Sequence, residues 1–288
     1  MSCAKCCSST PVTPRLWNQK TLRIMITTQV PSRTSSHVKR LIFSAILGVQ
    51  CLTNDPAAAQ AAPTSVSNLR VNDPYRYVGL LSFFSEGAEY VGSGTVVKPY
   101  SVLTAGHNLY SEGSGWSTDV VFQRSYDFGT YASESTASKL LILGGYAGYV
   151  DRGKSETNGG FSRDMGAIVC FSWPADGLYA AWKKDTSLLT GSNYTMSLGY
   201  GGEVHSGEEL LRSSPTRSFF KVVGSFYENR SYGIEGGMSG GPVFAKSRGK
   251  WYVCAVNVSG PGRNVFNRGA GVRAIDADSA KLIQTRLK

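Results

Sequence analysis

The sequence predicts an all-β protein with a single helix at its C-terminal end. Short β-rich runs recur along the chain, and 33 glycines, with serines and asparagines, punctuate them. A helical pattern stands only at the end. The first series of runs is Tyr77–Phe84, Tyr90–Val97, Ser101–Thr104, Leu140–Leu143 and Met165–Phe171. A crossing follows over Ser172–Leu189, and a second series runs Tyr194–Gly199, Ser218–Phe226, Gly241–Ala245, Trp251–Ser259 and Gly271–Ile275. From Asp276 onward, acids open the segment and basic residues close it, which complements a helix dipole. Ala280, Ile283 and Leu287 share one face of that helix.

Residues 1–61 read as a leader. Lys39-Arg40 precedes a 12-residue apolar run at 41–52, and Ala57, Ala59 and Ala61 supply small-residue cleavage sites. A basic stretch, a short apolar stretch and Ala-x-Ala make a secretory signal, and the run is too short to span a bilayer. Cleavage is predicted after Ala59 or Ala61. The 38 residues before the basic pair are long for such a signal, and Met25 offers a second start. Residues 62–70 form a linker or short pro-segment. Two domains follow, at 71–180 and 181–288.

One serine stands out. Gly236-Gly237-Met238-Ser239-Gly240-Gly241 surrounds Ser239 with glycines, which let backbone N–H groups approach a substrate carbonyl. A serine attacks only when a base stands beside it. The chain has three histidines. His37 lies in the leader and His205 in a polar loop, whereas His107 follows a hairpin at a strand end, held by a stiff scaffold. The base needs a carboxylate to orient it. Asp164 enters the apolar strand Met165–Phe171, and Asp151, in the polar loop Val150-Asp151-Arg152-Gly153, is the competitor. The strand context favours Asp164.

Leu103-Thr104-Ala105-Gly106-His107, Asp164-Met165-Gly166-Ala167-Ile168-Val169 and Gly236 through Val243 stand in this order, with gaps of 57 and 75 residues from histidine to aspartate and aspartate to serine. In these motifs residues 71–288 resemble the chymotrypsin-like serine peptidases, closest to the bacterial branch that includes glutamyl endopeptidases. Ser197-Leu198-Gly199-Tyr200-Gly201-Gly202 is similar to a Gly-Tyr-Pro-Gly turn of that family, with Gly201 replacing the proline. The resemblance implies two six-stranded antiparallel β-barrels with a short C-terminal helix, His107 and Asp164 in the first and Ser239 in the second. It further implies peptide-bond hydrolysis through an acyl-enzyme, with an oxyanion hole at the amides of Gly237 and Ser239.

The departures from the family carry information. Met238 stands where digestive relatives have an aspartate that receives a new N-terminus, so activation of that kind is not expected. Gly233 and Ile234 replace the carboxylate that would hold a basic side chain, and burying Lys or Arg there without a counter-charge is costly. Asn257 stands near the wall position that bears histidine in glutamate-selective relatives, and it brings no positive charge. Ser259 and Gly260 would give an edge for an extended substrate. These five residues are the predicted substrate contacts, with an apolar or small polar residue favoured before the cleaved bond.

The chain carries 30 basic and 20 acidic side chains, or +10. Its first 62 residues hold seven basic and one acidic, which leaves +4 on the rest. That is a solubility statement and no nucleic-acid footprint. Of six cysteines, Cys170 and Cys254 lie beyond the leader, both in apolar strand contexts. Buried thiols are one reading and a disulfide between them the other. Cys3, Cys6 and Cys7 lack the partners of a zinc site. No cofactor or metal is predicted. The expected protein is a secreted (extracellular or periplasmic) monomeric serine endopeptidase acting on polypeptides, with no stable membrane insertion once the signal is removed. An inactive homologue that binds is the alternative.

Overall fold

The first strands take their form from alternating apolar positions and tight turns. The structure, a computed structural model, describes residues 61–202, 205–260 and 269–285. The chain divides after Leu52, and every described residue belongs to the second unit. The apolar run 41–52, Met25, Cys3, Cys6, Cys7, His37 and Leu287 lie outside the described residues.

Strands β1 (Thr64–Ser65), β2 (Val78–Ser85), β3 (Ala88–Lys98) and β4 (Ser101–Thr104) come first. Glu86 and Gly87, both at positive φ, make the two-residue turn between β2 and β3. A small hairpin of β5 (Tyr110–Ser111) and β6 (Gly115–Trp116) follows His107. Then come β7 (Thr118–Arg124), β8 (Ser133–Ile142), the short helices α1 (Tyr146–Val150) and α2 (Asn158–Phe161), and β9 (Gly166–Cys170). The order β2-β3-β4-β9-β8-β7 closes into an antiparallel barrel. Leu81, Val96, Val102, Phe122 and Ile168 fill it. Gly79 makes room for that filling, since a Cβ there would lie 2.5 Å from the Phe122 ring. Strand β7 and most of β8 were not legible in sequence, because β8 reads Ser-Glu-Ser-Thr-Ala-Ser-Lys over its first seven residues.

After the crossing, helix α3 (Ser187–Thr190) leads to β10 (Thr195–Tyr200), β11 (Leu210–Arg212), β12 (Phe220–Val223) and β13 (Phe226–Asn229). Strands β14 (Pro242–Ser247), β15 (Lys250–Ser259) and β16 (Ala270–Ala274) and helix α4 (Ala277–Gln284) complete the chain. Their sheet has the order β1-β11-β10-β14-β15-β16-β13-β12. It reaches eight strands rather than six for two reasons. Thr64–Ser65 pairs with Leu211 and Arg212 at one edge. At the other, the run expected as one strand over Ser218–Phe226 turns at Gly224-Ser225 into the β12–β13 hairpin.

A continuous apolar cluster, with Val97 and Leu103 from the barrel and Leu198, Phe244 and Val256 from the sheet, joins the two. Asp276 caps helix α4, its carboxylate accepting from the Ser279 amide in a capping box. The wholly buried Arg273 donates to Asp276, to Ser279 and to the Ser162 carbonyl after α2. Ala280 and Ile283 are buried as the helical spacing predicts. Cys170 and Cys254 are both buried free thiols, so the disulfide reading is set aside.

Candidate active site

The register of β4 against β9 sets the first half of the site. Thr104 stands opposite Gly166, so the chain just past Thr104 meets the chain just before Gly166. His107 sits there in a 3-10 turn, Gly106–Asn108, and Asp164 is buried at 2% exposure. Asp164 Oδ1 accepts from the His107 amide at 2.9 Å, and Oδ2 lies 2.6 Å from the ring Nδ1. An ionised carboxylate only accepts, so Nδ1 carries the ring proton and Nε2 is left with its lone pair able to accept one. Gly106 is required here, because a Cβ would come within 3.1 Å of Asp164 Oδ1 and 2.9 Å of the Tyr146 ring. Burial, and then the Asp164 charge, push the Tyr146 phenol far above its ordinary range, which keeps it neutral. Asp151 lies exposed and accepts instead from the Tyr110 hydroxyl.

Ser239 lies on the loop between β13 and β14. His107, Gly236, Gly237 and Ser239 line a common cleft of about 390 Å³. Among the described residues no hydrogen bond joins the Ser239 hydroxyl to the imidazole, a gap that apo sites often close on binding substrate. Gly237 and Gly240 both take positive φ, +93° and +81°. The Gly236 carbonyl accepts from the Gly202 amide at 2.8 Å, and the Met238 carbonyl from the Gly241 amide at 3.0 Å. In a trans peptide the C=O and N–H point in opposite directions. The Gly237 and Ser239 amides therefore point away from Gly202 and Gly241, and among the described residues neither donates to a protein acceptor.

The barrel clasps this loop through residues that sequence reasoning missed. The Ser93 amide donates to the Ser239 carbonyl at 2.8 Å, as does Asn108 Nδ2 at 3.1 Å. The Ser93 hydroxyl donates to the Gly237 carbonyl at 2.8 Å. Thr104 Oγ1 donates to the Ser93 carbonyl and accepts from Asn108. The signals were the adjacency of Asn108 to His107 and the place of Thr104 in the motif that leads to it. Gly240 fits into this seam, since a Cβ would fall 2.1 Å from Thr104 Oγ1.

The predicted substrate contacts are placed differently from one another. Gly233 is buried, and a Cβ there would lie 2.1 Å from the Ala61 carbonyl, so the chain's own N-terminal segment backs that position. Ile234 and Met238 belong to the apolar core of the sheet. Ser259 pairs with Gly271 of β16, while on its other side β14 ends at Pro242 opposite Val256, so that among the described residues that edge of Ser259 and Gly260 has no strand partner. Asn257 is wholly buried, and its amide is engaged within the protein. His205 Nδ1 stands 2.8 Å from Oε1 of the buried Glu235. Gly201 leaves the room that Glu235 occupies, for a Cβ there would be 1.9 Å from the same oxygen. That explains why a residue without a side chain stands at 201.

No family model and no curated protein matches the chain. Solved structures do. A Glu endopeptidase crystallised with MPD aligns with a TM-score of 0.62 at 16% identity, covering 79% of this chain and 97% of that one. The protease Anisep from Arthrobacter nicotinovorans aligns at 0.59 and 22% identity, covering 72% and 93%. A thermostable serine protease from an extremophilic microorganism aligns at 0.56 and 18%, covering 72% and 95%. A closed six-stranded barrel, a second antiparallel sheet and a short terminal helix thus give this chain the fold of the chymotrypsin-like serine peptidases.

Proposed function

We propose that the protein is a secreted serine endopeptidase. The observation that carries this reading is His107, doubly held by the buried Asp164, lining one cleft with Ser239. His107 Nε2 takes the hydroxyl proton as Ser239 Oγ attacks the substrate carbonyl carbon. The carbonyl oxygen becomes an oxyanion between the amides of Gly237 and Ser239. The C–N bond then breaks, His107 returns the proton to the departing amine, and an ester to Ser239 remains. Water, deprotonated by His107, cleaves that ester and restores the hydroxyl. Asp164 holds the tautomer and stabilises the imidazolium.

An apolar or small polar residue before the cleaved bond fits Gly233 and Ile234, which supply no counter-charge for Lys or Arg. A second reading, an inactive homologue that binds through the cleft, is favoured by the Ala61 carbonyl lying against Gly233. Fluorophosphonate labelling of leader-free protein separates the two. Labelling of wild type, lost in Ser239→Ala with turnover on casein lower by about 10⁶, supports the peptidase; folded wild type that resists the probe supports the binding protein.

A further inference from the structure

Asn257 was expected to face substrate, and its chemistry directs it elsewhere. It is 0% exposed, and every polar atom of its side chain is engaged. Nδ2 donates to Ser197 Oγ at 2.6 Å and to the Met238 carbonyl at 3.0 Å, while Oδ1 accepts from the Tyr232 hydroxyl at 2.7 Å. A carbonyl oxygen only accepts, so the edge of the side chain facing Met238 must be the NH₂ group. No amide hydrogen is left over for a substrate.

The contact with Met238 has a catalytic consequence. The peptide that carries the Met238 carbonyl also carries the Ser239 amide, and the two point in opposite directions. We infer that Asn257 is a positioning residue that aims the Ser239 amide into the oxyanion site by holding the Met238 carbonyl from behind. Ser197 and Tyr232 fix the plane of its amide, and the Gly240 amide donates to the Asn257 backbone carbonyl at 2.8 Å, so strand β15 and the nucleophile loop are tied at both levels. The Gly241 amide shares the Met238 carbonyl, so removing Asn257 loosens the peptide without freeing it.

This inference rests on the peptidase reading, and the test keeps the two apart. The measurement is the time course of Ser239 labelling by a fluorophosphonate, resolved into the limiting rate, the half-saturating probe concentration and the final amplitude. Asn257→Ala is expected to label to full amplitude with a limiting rate lower by about 10- to 100-fold, short of the 10²–10³ that loss of a whole oxyanion donor costs, and with half-saturation unchanged. A merely structural role would lower the amplitude and leave the rate of the folded fraction alone; that result overturns the inference, as does full amplitude at the wild-type rate. If Asn257→Ala does not fold, Tyr232→Phe serves, with a several-fold slower rate at full amplitude expected and an unchanged rate overturning the idea. Wild type that resists the probe defeats the peptidase reading, and this inference falls with it.

Discussion

Asp164 grips His107 twice, through the backbone amide with one oxygen and through the ring with the other. The first contact places the turn and the second selects the tautomer, so the two can be separated by substitution. Asp164→Asn keeps an acceptor for the amide but can present an NH₂ group to Nδ1, which then gives up its proton to Nε2. The expected outcome is a folded protein with turnover lower by about 10⁴, measured on casein alongside a circular dichroism melt. Turnover within a few-fold of wild type would contradict this account of the pair.

The seam between the barrel and the Ser239 loop closes on Gly240. A methyl there meets Thr104 Oγ1 at 2.1 Å and the Ser93 carbonyl at 2.5 Å, on a backbone at φ +81°. Gly240→Ala should cost about 1–3 kcal/mol from the backbone conformation alone, with more from the clash. A urea titration gives the loss of stability, and labelling of the surviving folded fraction should also slow.

Acid should act on the cap of helix α4. Burial alone would raise the Asp276 carboxyl, but hydrogen bonds from the Ser279 amide, Arg273 and Ser225, with the Arg273 charge, outweigh it and hold the group well below the usual carboxylate range. A carboxyl depressed in the folded state contributes stability above its unfolded value, about pH 4, and that contribution is lost as pH falls further. Asp276→Asn should therefore be less stable than wild type at pH 7, with the difference shrinking below about pH 4. Urea midpoints at pH 7 and pH 3 test this; a difference that stays constant would refute it.

The two cysteines should behave as inert packing. Burial pushes the Cys170 thiol up to about 12 and raises Cys254 as well, so little thiolate exists at neutral pH. Iodoacetamide should add nothing to the native protein and two groups after unfolding without reductant, as read by intact mass of the leader-free protein.

Much of this molecule was legible in one dimension, and the reason is local. Glycines around Ser239, the turn before His107 and the acid at the head of an apolar strand each reflect a demand made within a few residues. The same holds for α4, whose cap and apolar face are spaced along a single helix. Strand β8 was obscure because its leading residues are polar, and its pairing with β7 and β9 is set by backbone ladders that no side-chain pattern records.

Only the tertiary structure decided what holds the loop. Ser93, Asn108, Thr104 and Asn257 are ordinary polar residues in sequence; distant strands bring Ser93 and Asn108 against the Gly237 and Ser239 carbonyls, Thr104 behind Ser93, and Asn257 against the Met238 carbonyl behind the Ser239 amide. The composition around Ser239 set what the loop was free to do. The direction in which the Gly237 and Ser239 amides point depends on Gly202 at the Gly236 carbonyl and on Asn257 and Gly241 at the Met238 carbonyl, because a peptide plane turns as a unit and is fixed by whatever bonds its opposite edge.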